Sequence, residues 1–152
     1  MTLSTHPGAM PLANRADWFR LDRRVGWTDV DPSSNYQFTA ALRYAEEAEI
    51  AMLRDAGVLD QLYPHLPRTH VSASFSSPAH WEDEVAVLVR VARIGRSSME
   101  LEFRIECAGR LCAEGLLGSA LVDPLTGRGA PVPASVRRAL GHAEEAGTDG
   151  IR

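Results

Sequence analysis

Apolar residues recur along this chain with two different periods, and the switches between them mark its elements. Phe19 to Thr28 is predicted to be a strand, with Leu21, Arg23, Val25 and Trp27 alternating against polar neighbours. Thr39 to Ala56 is predicted to be a helix. Its stripe runs through Ala41, Ala45, Ala48, Met52 and Ala56, widened by Leu42 and Leu53. Thr39 is the expected N-cap and Gly57 the expected stop, with no Gly or Pro between them. From Arg68 the period falls to two. Thr69, Val71, Ala73 and Phe75 share one side of a strand over 69–77 that Pro78 ends, and Val85, Val87, Val89 and Val91 mark the next. The turn Ile94-Gly95-Arg96-Ser97 leads to Met99, Leu101, Phe103, Ile105 and Cys107, which alternate with Glu100, Glu102, Arg104 and Glu106. That run is a strand with one buried and one solvated face. Leu111 to Val122 is a further strand, in which Gly115 and Gly118 mark bulges or close backbone approach. Asp123-Pro124-Leu125-Thr126-Gly127 stops it, and Pro133 to His142 reads as a short helix.

Strand, long helix, then four consecutive antiparallel strands is a segregated order, so the fold class is α+β. Small residues along the helix stripe let a sheet lie close against it, and about five strands wrap one helix. Such a sheet keeps an open edge that a second copy of the chain would close, giving a homodimer or a homotetramer. Residues 1–17, rich in Pro, Ala, Gly and Thr, read as a flexible lead-in. Residues 18–142 form the domain, and 143–152 a frayed tail.

Composition narrows the function by exclusion. The chain has 152 residues, 45% of them hydrophobic, enough for one domain with a real core. A net charge of −4, with acids and arginines interleaved, gives no basic surface for nucleic acid. All 16 basic residues are arginine, which rules out a Schiff-base lysine. No apolar run reaches the roughly 18 residues of a membrane span. The first ten residues lack a secretory signal pattern, so the chain reads as cytoplasmic. The five histidines show no ligand spacing and no Cys-x-x-Cys exists, so no metal or other cofactor is expected. A two-residue loop at Gly109-Arg110 would set Cys107 opposite Cys112. A disulfide is then sterically conceivable, but reduced thiols suit a cytoplasmic chain.

Candidate chemistry gathers at Val25-Gly26-Trp27-Thr28-Asp29-Val30-Asp31-Pro32, which joins the first strand to the helix. Read alone, Asp-x-Asp-Pro is a solvated turn. A carboxylate on such a loop can also lie beside unpaired N–H groups of a helix N-terminus. That is the layout needed to attack a carbonyl and hold the resulting oxyanion.

Four motifs in register over this topology sharpen the reading: Asp29-Val30-Asp31-Pro32, Glu46-Glu47-Ala48, Ser74-Phe75-Ser76-Ser77-Pro78-Ala79 and Asp83-Glu84-Val85. Over roughly residues 19–140 the chain resembles the hotdog-fold acyl-CoA thioesterases, particularly the 4-hydroxybenzoyl-CoA thioesterase group. The resemblance implies a sheet wrapped around a central helix and hydrolysis of an acyl thioester, carried on coenzyme A or an acyl carrier protein. It implies that Asp31 is the catalytic carboxylate, as nucleophile or general base, and that the backbone N–H of Phe38, with Thr39 adjacent, is the oxyanion donor. It places Arg93, Arg96, Ser97 and Ser98 at the turn where family members bind the nucleotide end of coenzyme A, and arginine forks suit phosphates.

The chain departs from that pattern at four positions. Ser34 stands where the family usually has glycine, Asn35 where histidine is common, Ala41 where tyrosine is usual and Glu49 where arginine is usual. Glu49 is a weaker catalytic candidate, since an acid on the apolar flank of the helix either holds a water or pairs with an arginine at a subunit interface. Asp29 reads as loop-ordering, His70 and His80 as core or surface, and Trp27 and Trp81 as core or pocket wall. The alternative to an enzyme is a non-catalytic hotdog protein that retains an acyl-CoA or binds a partner protein. A hydratase on the same fold would need an Asp/His pair that has no evident place here.

Overall fold

The computed structural model describes residues 17–141. The predicted lead-in, save Asp17, lies outside the described residues, as do His142 and the predicted tail. Five strands form one antiparallel sheet: β1 (Phe19–Arg24), β2 (Arg68–Phe75), β3 (Glu84–Ile94), β4 (Ser98–Cys107) and β5 (Arg110–Ala120). The long helix α1 (Phe38–Asp55) packs mainly on β3, with β1 and β4 beside it. Two short helices, α2 (Leu59–Leu62) and α3 (Ala134–Ala139), complete the chain. No helix among the described residues is long and apolar enough to cross a membrane.

The helix forms where its alanine stripe requires it. Ala41, Ala45 and Ala48 are fully buried, and their small side chains bring α1 down onto Val85, Val87, Val89, Leu101, Phe103 and Ile105. Each of those larger side chains contributes about 1.5–3 kcal/mol on burial. Gln37, not Thr39, is the N-cap, because the loop delivers the Gln37 N–H to Asp29 O at 2.8 Å and the helix starts at once. Gly57 follows the helix with φ 75°, its N–H returning to Arg54 O.

Three expectations are corrected. The strand order is β1-β3-β4-β5-β2, so the four strands after the helix are not neighbours in consecutive order. The chain leaves α1 through α2 and a 3-10 turn at Tyr63–His65, burying Leu62 and Leu66, and descends on the far side of the sheet beside β5. Second, β1 ends at Arg24. The Asp29 side chain accepts the Gly26 N–H, and the chain turns through Trp27–Asp29. Trp27 therefore points out of the core, 70% exposed, and meets Trp81, 46% exposed, edge to face at 5.0 Å. Third, the β4–β5 loop is Ala108-Gly109, both with positive φ (50° and 76°), as a type I′ turn demands. Cys107 thus faces Arg110, an irregularity between Ile105 and Glu106 offsets Cys112, and both thiols are free and buried.

Gly115 shows why a glycine interrupts β5. A Cβ there would lie 1.9 Å from Ser72 O and 2.8 Å from the Phe103 ring, so β2 could not pair at this register with any other residue. β2 forms one of the two edges of the sheet, β1 being the other, and is exposed along its length after Arg68, with Val71 and Phe75 uncovered.

Candidate active site

The loop between β1 and α1 is built on a buried carboxylate. Asp29, 3% exposed, accepts hydrogen bonds from Tyr44 Oη at 2.6 Å, from Gly26 N at 3.3 Å and from Arg23 at 3.4 Å, and it pairs with Arg43. Arg23 occupies an inward position of β1, stacks 4.0 Å from the Tyr44 ring centre and pairs with Glu47. Asp29 thereby anchors the loop to β1 and α1, as a loop-ordering residue should. Sequence reading missed Arg23, Arg43 and Tyr44 as its partners. The available signal was an arginine among the apolar positions of β1, since a half-buried charge requires a partner.

Above that anchor the chain makes a tight reversal. The Asp31 N–H donates to Asn35 O at 2.8 Å, and Ser34 N–H donates to Asp31 O at 2.9 Å. Ser34 takes φ 66°, a left-handed backbone in which glycine is the least strained residue. The segment after β2 clamps the reversal: Tyr36 N–H donates to Ala79 O at 2.8 Å, and Asn35 bridges His80. The Pro78-Ala79 motif is therefore part of the loop's support. Tyr36 is buried, and that burial pushes its phenol well above the usual range.

The Asp31 carboxylate sits at the rim of this reversal. Its Oδ1 accepts from Ser33 Oγ at 2.5 Å, Ser33 N at 2.8 Å and Asn35 N at 3.3 Å. These bonds, the Ser33 hydroxyl foremost, hold its pKa below the ordinary aspartate value. Among the described residues, nothing bonds to Oδ2. Phe38 and Thr39 begin α1, and no backbone acceptor among the described residues takes their N–H groups. Such groups carry the positive end of the helix dipole. The Phe38 side chain is 65% exposed.

The remaining candidates lie elsewhere. Glu49 is fully buried, yet Arg68 at the start of β2 grips it with both nitrogens, at 2.5 and 3.3 Å. Arg68 also donates to Ser119 Oγ at 2.8 Å, and Tyr63 Oη donates to Glu46 at 2.7 Å. Burial raises the Glu49 carboxyl above its usual range, with Arg68 opposing. Burial and Glu46 push the Tyr63 phenol up to about 12. Arg96 and Ser97 lie in the β3–β4 turn, with Arg93 in the end of β3 and Ser98 opening β4, and Arg137 of α3 braces the turn through Ile94 O and Gly95 O at 3.3 and 2.6 Å. The Asp31 loop meets residues 79–83, just before β3, whereas this turn follows β3. The length of β3, about 3.3 Å per residue, separates the two within one chain.

The family model for the thioesterase-like superfamily matches residues 25–140. A 1,4-dihydroxy-2-naphthoyl-CoA hydrolase from Prochlorococcus marinus (strain MIT 9303) is 24% identical, over 84% of this chain and 92% of its own. A thioesterase from Thermus thermophilus, solved with coenzyme A and zinc, is 27% identical with a TM-score of 0.73, covering 80% of this chain and 90% of its own. A 1,4-dihydroxy-2-naphthoyl-CoA thioesterase from Synechocystis superposes with a TM-score of 0.75 at 21% identity, over 82% and 96% of the two chains. Sheet, central helix and loop define a hotdog thioesterase. The chain belongs to the thioesterase-like superfamily.

Proposed function

We propose that the protein hydrolyses an acyl-CoA thioester to the free acid and coenzyme A thiol, with Asp31 as the reacting carboxylate. The observation that carries this is the state of that side chain. One oxygen is fixed by the loop, the other is open, and the loop leads directly into the unpaired N–H groups of α1. A thioester carbonyl is electrophilic enough for a carboxylate to attack it, or to deprotonate a water that does so, without a serine triad. The Phe38 N–H, with Thr39 adjacent, receives the charge that develops on the carbonyl oxygen. A donor of this kind contributes about 3 kcal/mol to the transition state. Coenzyme A as the carrier is supported by the relative solved with it and by the relatives named as CoA hydrolases.

Free-thiol release from a panel of aliphatic and aromatic acyl-CoAs, with acyl carrier protein thioesters alongside, tests the reaction. Turnover with at least one CoA thioester is expected. Tight retention of acyl-CoA without decay of the thioester would establish the non-catalytic alternative.

The same reading makes the enzyme a homodimer joined along β2. That edge presents unpaired backbone groups with Val71 and Phe75 beside them. A two-fold axis through it reverses the partner's strands. The partner's Arg93–Ser98 turn then lies at the same end of the joined sheet as Asp31, and on this reading that turn would hold the coenzyme A phosphates. Sedimentation at micromolar concentration is expected to give at least twice the 16.6 kDa chain mass. An active monomer would defeat both the pairing and the shared site.

A further inference from the structure

Ser33 and Asn35 form a directed chain of hydrogen bonds onto Asp31. The Asn35 side-chain amide donates to Ser33 Oγ at 3.0 Å. With that lone pair occupied, the Ser33 hydroxyl turns its proton to Asp31 Oδ1, 2.5 Å away. The Ser33 and Asn35 main-chain N–H groups reach the same oxygen, at 2.8 and 3.3 Å. All three donors converge on Oδ1.

We propose that Ser33, oriented by the Asn35 side chain, is a positioning residue that commits Oδ1 of Asp31 to the loop and reserves Oδ2 for the thioester or its attacking water. This rests on the reading of Asp31 as the reacting carboxylate and adds to it which oxygen reacts and what selects it. A carboxylate bonded on neither oxygen would rotate, and small misplacements at a reacting centre are costly in rate. A charge-assisted hydroxyl bond is the strongest of the three restraints. The same bond keeps Asp31 ionised to lower pH than an ordinary aspartate. Of the charged groups on the packed segments, Glu82 is exposed to solvent and the others are already engaged. Asp29 is held by Arg23, Arg43 and Tyr44, and His80 lies 3.5 Å from Asp83.

Ser33→Ala, Ser33→Thr and Asn35→Ala, compared with Asp31→Asn, test the assignment. The Asp31 carboxyl titration is followed by carbon NMR, and kcat and KM are measured against pH. Ser33→Ala is expected to move the titration and the acid limb of kcat upward by at least about half a pH unit. It should lower kcat about three- to tenfold with KM unchanged. Ser33→Thr, which keeps the hydroxyl, should restore both, and Asn35→Ala should show a smaller shift in the same direction. A Ser33→Ala titration that overlays the wild type overturns the proposal. Loss in Ser33→Ala as complete as in Asp31→Asn overturns it too, because the serine would then belong to the chemistry. Retained turnover in Asp31→Asn defeats the parent reading instead, whatever Ser33→Ala does.

Discussion

Asparagine at position 31 is expected to lower kcat by about 10²–10⁴-fold while leaving the fold and acyl-CoA affinity nearly intact. The loop tolerates the change. The amide oxygen still accepts from Ser33 Oγ, Ser33 N and Asn35 N, so the bonds on Oδ1 survive. What disappears is the free anionic oxygen, and with it the capacity to attack a carbonyl or take a proton from water. Asp29→Asn should act less on kcat, because the Asp29 carboxyl is buried and engaged by Tyr44, Arg23 and Arg43. Steady-state kinetics on one acyl-CoA decides the matter. A variant keeping more than about a tenth of the wild-type rate has lost less than about 1.4 kcal/mol, and Asp31 would not be the central group.

Arg68→Ala is expected to be the most destabilising single change of the set, and by an amount that depends on pH. Glu49 is fully buried and Arg68 is its cationic partner. Removing one member of such a pair costs about 3–5 kcal/mol at neutral pH, because the remaining charge is buried alone. The folded carboxyl already titrates above its usual value, chiefly through burial. An acid raised on folding holds its proton to higher pH than the unfolded chain does. Stability therefore declines as pH rises from the ordinary glutamate value, until the folded group ionises as well. Losing Arg68 raises the folded value further and extends that decline towards neutrality. Urea unfolding should show a small deficit near pH 5 and a large one near pH 8. Adding Glu49→Gln should recover part of the loss at pH 8. Equal deficits at both values would mean that the charge of Glu49 is not what Arg68 balances.

Patterns that depend on one element were legible in the sequence, and those that depend on two were not. The alanine stripe of α1 and the alternation of β4 follow from burying one face, and both elements form where those patterns lie. Period two does not record which strand lies next to which, so the position of β2 beside β5 required the geometry of the chain after α1. The alternation through Trp27 carried the first strand too far, because Asp29 captures the Gly26 N–H and bends the chain out of the sheet. The hairpin loop was misplaced by one residue, because two left-handed residues fit better at Ala108-Gly109 than at Gly109-Arg110. At the candidate site, the Asp-x-Asp pattern located both carboxylates. The network under Asp29 draws on β1 and α1, regions far apart in sequence, and no local motif announces it.

The Trp27–Trp81 contact gives the molecule an optical consequence. Two of its three tryptophans lie against each other beside the Asp31 loop, well exposed, whereas Trp18 is half-buried with its ring against Arg90. Edge-to-face indoles at 5.0 Å are close enough for their electronic transitions to couple. Emission from the exposed pair and near-ultraviolet dichroism from its coupling therefore report the loop itself. The protein carries its own label for loop movement, with no dye attached.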